Sequence, residues 1–153
     1  MKTSVRPLAE IAGDGVTVAI RHVETPKGER LELASPSQDE QVRFDALLLE
    51  WVTSQDEAVF RRLMDTAGGA DSPNEDRIVA SNEVTVVTRE ALTTITNEFA
   101  HVEVSKVTTP EGDHLALAAP KLGIDRYLNG RALEILTYPS METFSDLLRE
   151  HTE

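Results

Sequence analysis

The sequence has 153 residues, enough for one ordinary domain or two very small ones, and 40% of them are hydrophobic. It contains no cysteine, which excludes disulfide scaffolds, thiolate metal sites and cysteine nucleophiles. Asp and Glu number 27 against 15 Lys and Arg, and the formal net charge of -12 makes nucleic acid an unlikely partner.

The basic residues are mostly arginine, and the lysines are Lys2, Lys27, Lys106 and Lys121. An acidic, lysine-poor chain is typical of proteins from high-salt cells, where salt screens the repulsion between surface carboxylates. An ordinary acidic cytosolic protein is the alternative. No apolar run reaches the roughly 18–20 residues that span a bilayer, and the N-terminus lacks the apolar region of a secretion signal. We therefore expect a cytoplasmic protein that does not bind membranes.

An internal repeat organises the chain. Residues 18–36 (VAIRHVETPKGERLELASP) align without a gap with residues 102–120 (VEVSKVTTPEGDHLALAAP), at an offset of 84. The same offset pairs Glu50 with Glu134. The predicted units are a first repeat at 1–66, a linker at 67–83 and a second repeat at 84–153.

Each copy is predicted to start with a short helix and a hairpin. Leu8 and Ile11 lie three residues apart, as do Leu92 and Ile95, and this spacing indicates a helix. Residues 18–36 and 102–120 then alternate apolar and polar residues on either side of a Thr-Pro-x-Gly turn, the pattern of two paired strands. A four-residue loop would keep the apolar residues of both strands on one face.

A third strand and a second helix complete each predicted unit. Residues 46–52 (ALLLEWV) and 130–136 (GRALEIL) are the predicted third strands, followed by helices that begin near Ser54 and Pro139. The fold class is therefore α+β, a tandem duplication of a helix, a three-stranded antiparallel sheet and a helix. Because the third strand is apolar on both faces, we expect the copies to pack with pseudo-two-fold symmetry, or the chain to form a homodimer.

Four residues are candidates for ligand binding. Glu50 and Glu134 sit between apolar neighbours in both copies, so a symmetry axis could bring the two carboxylates together as an acid–base pair or a cation site. The alternative is that each glutamate pairs with an arginine or faces solvent. Trp51 is a core residue or lines a pocket, and Tyr127 lies in a segment where the copies diverge, as binding specificity requires.

The histidines suggest no chemistry. None of the four has the spacing of metal ligands. His22 and His114 are replaced by Lys106 and Arg30 at the equivalent repeat positions, which indicates solvated surface sites.

We expect a non-catalytic binding or regulatory module, without cofactor or metal, that holds a protein partner or a small ligand at the surface between the repeats. The sequence carries no known phosphate-binding, dinucleotide or nucleophile motif. Two alternatives stay open: a nucleic-acid or transcription-associated binder, and a small enzyme that uses the two glutamates at the symmetry axis.

Overall fold

The structure, a computed structural model, describes residues 3–13, 16–35, 41–55, 58–60 and 79–137. The strands are β1 (Ser4–Gly13), β2 (Val16–Thr25), β3 (Gly28–Ala34), β4 (Val42–Phe44), β5 (Ala80–Ser81), β6 (Thr88–Thr96), β7 (His101–Thr109), β8 (Gly112–Ala119) and β9 (Ile124–Asn129). The two main helices are α1 (Ala46–Thr53) and α2 (Gly130–Ile135), and residues 58–60 form a further helical turn. The strands make two antiparallel sheets, a first sheet in the order β1-β2-β3-β4 and a second in the order β5-β9-β8-β7-β6.

The predicted unit of helix, three-stranded sheet and helix is wrong, because the described residues are mostly strand. Each unit begins with a strand rather than a helix and runs through a four-stranded meander into one helix. Corresponding elements nevertheless lie 84 residues apart: Gly28 and Gly112 begin β3 and β8, and Ala46 and Gly130 begin α1 and α2. We refer to β1–β4 with α1 as the first half, and to β5–β9 with α2 as the second half.

Strands β1 and β6, which were predicted to be helices, have the apolar spacing of a helix because each carries a bulge. The pairing of β1 with β2 shifts between Pro7 and Ala9, and the pairing of β6 with β7 shifts between Ala91 and Thr93. One extra residue changes which face the following side chains occupy. Apolar residues three apart can therefore reach the same core from a strand, as Leu8 and Ile11 do.

The predicted third strands are the helices α1 and α2. Both begin at a polar cap: the Asp45 side chain accepts a hydrogen bond from the Leu48 N–H, and the Asn129 side chain accepts one from the Ala132 N–H. The periodicity of a short apolar run fits a buried strand and a buried helix equally well. The polar caps are therefore the features that favour a helix at these two segments. The strand that pairs with β3 on the side away from β2 is the three-residue β4, which lies between the predicted hairpin and the predicted third strand.

Parts of two further predictions lie outside the described residues. These are the helix after Ser54 beyond residue 60, and the helix near Pro139. The predicted linker ends within the described part, where Ala80 and Ser81 form β5 and pair with Leu128 and Tyr127 of β9.

The two halves share one hydrophobic core because they exchange helices. Helix α1 of the first half packs on β7 and β8 of the second sheet, and α2 packs on β1, β2 and β3 of the first sheet. The shared core includes Ile11, Ile20, Leu33, Phe44, Leu49 and Trp51 from the first half and Ile95, Val104, Leu117, Leu128, Leu133 and Ile135 from the second. The segments 46–52 and 130–136, which the sequence showed to be apolar on both faces, therefore bury both faces within the same chain.

The two hairpins have two-residue loops rather than the predicted four. Thr25 pairs with Gly28, and Thr109 pairs with Gly112. In both turns the threonine hydroxyl donates to the glycine carbonyl, at 2.9 and 3.0 Å. The glycines have φ angles of 123° and 124°, a conformation that other residues rarely adopt.

Replacing Gly112 of the second hairpin tests the need for a positive φ angle separately from any steric clash. A Cβ atom at Gly112 would meet no atom within 4 Å, so Gly112→Ala introduces conformational strain without a clash. We expect a loss of about 1–3 kcal/mol in the free energy of unfolding, measured by chemical denaturation. Lys27→Ala, an exposed change in the equivalent turn, should be nearly neutral, and equal effects of the two substitutions would contradict the strain.

Candidate functional site

The glutamate of α1 ties the first half to the second. The Glu50 Oε2 atom accepts a hydrogen bond from the backbone N–H of His101, at 3.2 Å. His101 is the first residue of β7. The carboxylate therefore holds α1 at the end of the sheet on which it packs.

The glutamate of α2 makes the reciprocal connection. Glu134 is buried and accepts hydrogen bonds from the Arg131 guanidinium and from the Ser35 hydroxyl, the latter at 3.4 Å. Ser35 directly follows β3 of the first half. Within the described part of the chain, no hydrogen bond links Glu50 to Glu134, and each carboxylate has its own partners.

The two aromatic candidates lie in different surroundings. Trp51 is buried in the shared core. Tyr127 lies on the outer face of the second sheet in a small apolar cluster with Val107 and Ala116. Its hydroxyl accepts a hydrogen bond from the Arg89 Nη2 atom at 3.0 Å, and the Arg89 guanidinium carbon lies 5.8 Å from the ring centroid. The described contacts therefore do not bring the four predicted residues into one site.

The solvated interpretation of the histidines is wrong, because His22 and His114 are buried. The His22 Nε2 atom lies 2.8 Å from the Glu29 Oε1 atom, and the Glu29 Oε2 atom accepts a hydrogen bond from the Thr96 N–H at 2.9 Å. At the equivalent positions of the second half, Lys106 and Asp113 form an ion pair at 3.7 Å. Both sheets therefore have a basic and an acidic side chain paired at this position, His22 with Glu29 in the first and Lys106 with Asp113 in the second.

Sequence reasoning missed a row of charged side chains on the outer face of the first sheet. Arg21, Glu32 and Arg43 are consecutive cross-strand neighbours on β2, β3 and β4. The Arg21 Nη1 atom donates to Glu32 Oε2 at 2.9 Å, and the Arg43 Nε atom donates to Glu32 Oε1 at 3.1 Å. We call these three residues the arginine row.

The arginine row combines a buried anion with accessible cations. The Glu32 side chain is 2% exposed, whereas the side chains of Arg21 and Arg43 are 37% and 40% exposed. A guanidinium group has five N–H donors, and the described bonds to Glu32 use one from each arginine. Glu32 therefore orients two arginines whose remaining donors can reach a ligand.

A shallow groove adjoins the arginine row. One hollow of about 250 Å³ and another of about 380 Å³ share the residues Glu10, Ala19 and Arg21. The first extends to Ala34 and the second to the bulge of β1 at Pro7. Because they share three lining residues, the two hollows are adjacent, and we call them together the groove.

The second sheet carries different chemistry at the equivalent positions. The counterparts of the arginine row are Ser105, Ala116 and Tyr127, which are also consecutive cross-strand neighbours. Two of these three belong to the apolar cluster of that face. The fold can therefore be built without the arginine row, so its charges are not required by the strand pairing itself.

The charge of this face is opposite to that of the whole chain. Among the described residues, strand register places three arginines and two glutamates on the outer face of the first sheet, while the chain has a net charge of -12. The residues are Arg21, Arg30, Arg43, Glu10 and Glu32. A locally positive surface on an acidic protein favours an anionic ligand. Within the described ranges, no cluster of three or more His, Asp or Glu side chains is placed to hold a metal ion.

One signal could have located part of this site in the sequence. Arg21 and Glu32 occupy outward positions between apolar residues of β2 and β3, so alternation places them on one face. Arg43 could not be placed because β4 has three residues and no recognisable period.

Comparisons with protein-family models, with curated proteins and with solved structures find no significant match to this chain. Across the described segments, every helix is too short or too polar to cross a membrane.

Removing the buried carboxylate of α2 tests its structural role. Glu134→Ala leaves the buried Arg131 guanidinium without this partner, and we expect a loss of about 3–5 kcal/mol in the free energy of unfolding. The equivalent of Arg131 in α1 is Leu47, so the double substitution Arg131→Leu with Glu134→Leu should recover most of that loss. Chemical denaturation of the unmodified protein and the two variants measures the loss and its recovery. A Glu134→Ala variant as stable as the unmodified protein would contradict the stabilising role of Glu134.

Proposed function

We propose that this protein is a non-catalytic binding module that holds a carboxylate-bearing partner on the outer face of its first sheet. The arginine row carries the proposal: one buried carboxylate aligns two partly exposed guanidinium groups. Planar guanidinium groups bind carboxylates through paired hydrogen bonds, and bonds between charged groups are stronger than those between neutral ones.

The location differs from the one expected between the repeats. That interior is filled by apolar side chains of both halves, which leaves the outer faces of the sheets as the accessible surfaces. The outer face of the first sheet combines local positive charge with a groove, and the equivalent face of the second sheet lacks the arginine row. These differences support binding at the first sheet.

Glu32 is the feature that supports a carboxylate as the ligand group. Its buried carboxylate already binds both guanidinium groups, and the N–H donors that these bonds leave over can bind a second carboxylate from the solvent side. Because Glu32 is almost fully buried, salt screens its interaction with the arginines less than it screens an exposed pair. The acidic composition of the chain favours a high-salt cytoplasm as its setting, where the weaker screening of a buried carboxylate helps to keep the two arginines in place.

Calorimetric titration with citrate, a soluble polycarboxylate, tests the proposal. We expect citrate to bind the unmodified protein, and Arg21→Gln and Arg43→Gln each to weaken binding by about tenfold or more, the effect of losing a charged hydrogen bond.

The matched control is Arg89→Gln. Arg89 is an exposed arginine on the outer face of the second sheet, so this substitution changes the net charge by the same amount. Unchanged citrate affinity in this variant supports the proposal. Equal weakening by all three substitutions, or no citrate binding by the unmodified protein, overturns it.

A further inference from the structure

We infer that the partner is an extended acidic segment of another protein, which crosses the first sheet along the groove and places a carboxylate on the arginine row. This inference rests on the proposed function and specifies the kind of ligand that the same face takes. Its basis is the shape, floor and lining of the groove.

The groove is elongated rather than compact. It runs from Ala34 on β3, over Ala19 on β2, to the bulge of β1 near Pro7. Three neighbouring strands span about 10 Å, the length of about three residues of extended chain. A depression of this form is matched by a short stretch of peptide.

The floor of the groove allows a backbone to approach closely. Ala19 and Ala34 are cross-strand partners, so two methyl groups line its centre. At the equivalent positions the second sheet has Glu103 and Ala118, so a longer side chain replaces one of the two methyl groups. The close approach is therefore specific to the first sheet.

The lining changes along the groove in a way that selects side chains. Arg21 and Glu10 both line the two hollows, so one base and one acid face the ligand there. Arg21 connects the hollows to the arginine row, which provides the position for an acidic residue. Pro7 lines the end at the bulge, where its ring offers contact to an apolar residue. The complementary segment carries one carboxylate with a small and an apolar residue beside it.

The test uses a blocked peptide, acetyl-Leu-Ala-Glu-Ala-Leu-amide. Its order of side chains reads the same in both directions, so it suits either orientation of the chain. We expect it to bind about tenfold tighter than N-acetylglutamate amide, because it adds apolar and backbone contacts to the same carboxylate. The peptide with Gln in place of Glu should bind much more weakly, and equal binding by that neutral peptide overturns the inference.

Two matched substitutions locate the peptide on the protein. Ala34→Leu fills the groove, whereas Ala118→Leu makes the same change at the equivalent half-buried position of the second sheet. We expect the Ala34→Leu variant to bind the peptide no more tightly than N-acetylglutamate amide and to keep its affinity for citrate. The second variant should behave like the unmodified protein in both titrations, and thermal denaturation establishes that both variants are folded.

The outcomes separate the two proposals. The extended segment as partner is overturned if the peptide binds no tighter than N-acetylglutamate amide. It is also overturned if the peptide keeps its affinity advantage over that amide in the Ala34→Leu variant. Citrate binding at the arginine row still stands in both cases. Absence of both citrate and peptide binding overturns the proposed function as well.

Discussion

The reciprocal exchange of helices is the constraint on which the rest of the structure depends. Helix α1 covers the inner face of the second sheet, and α2 covers the inner face of the first. Each exchange is held by a hydrogen bond as well as by apolar packing: Glu50 of α1 accepts from the His101 N–H, and Glu134 of α2 accepts from the Ser35 hydroxyl. In the described part of the chain, each inner face is covered mainly by the helix of the other half, so the halves depend on each other for a core.

This arrangement directs variation to the outer faces of the sheets. The inner positions are occupied by apolar side chains in both halves, and the glutamates on α1 and α2 contribute to the contacts between them. The outer positions carry no such requirement. One sheet has an arginine row there and the other has an apolar cluster, although the strand pairing is the same. A binding function is therefore most easily placed on an outer face.

The sequence allowed the hairpins to be predicted but not the elements around them. Regular alternation and the Thr-Pro-x-Gly turns located β2, β3, β7 and β8. The bulges in β1 and β6 change the spacing of apolar residues to that of a helix, and periodicity alone does not detect an inserted residue. Helices α1 and α2 are buried on nearly every side and show no clear helical period, so the single polar caps Asp45 and Asn129 are the local signals that distinguish them from strands.

The candidate site was less predictable than the fold. Glu50 and Glu134 recur in both copies, and their recurrence is explained by equivalent structural roles in joining the halves. Sites that differ between repeats leave no such internal signal, and the arginine row is one of them. Its members are distant in sequence and meet through two strand pairings, the second of which involves the three-residue β4.

The shared core is tested most directly by the fluorescence of Trp51, the single tryptophan of the chain, which lies on α1. The substitution Leu117→Ala opens a cavity in the second sheet, at a cost of about 2–5 kcal/mol. The account predicts that the denaturation transition seen by Trp51 fluorescence shifts to lower denaturant and coincides with the transition seen by far-ultraviolet circular dichroism. A fluorescence transition that stays at its original denaturant concentration while the circular dichroism transition shifts or splits would show that the halves unfold separately, and would contradict the exchange of helices.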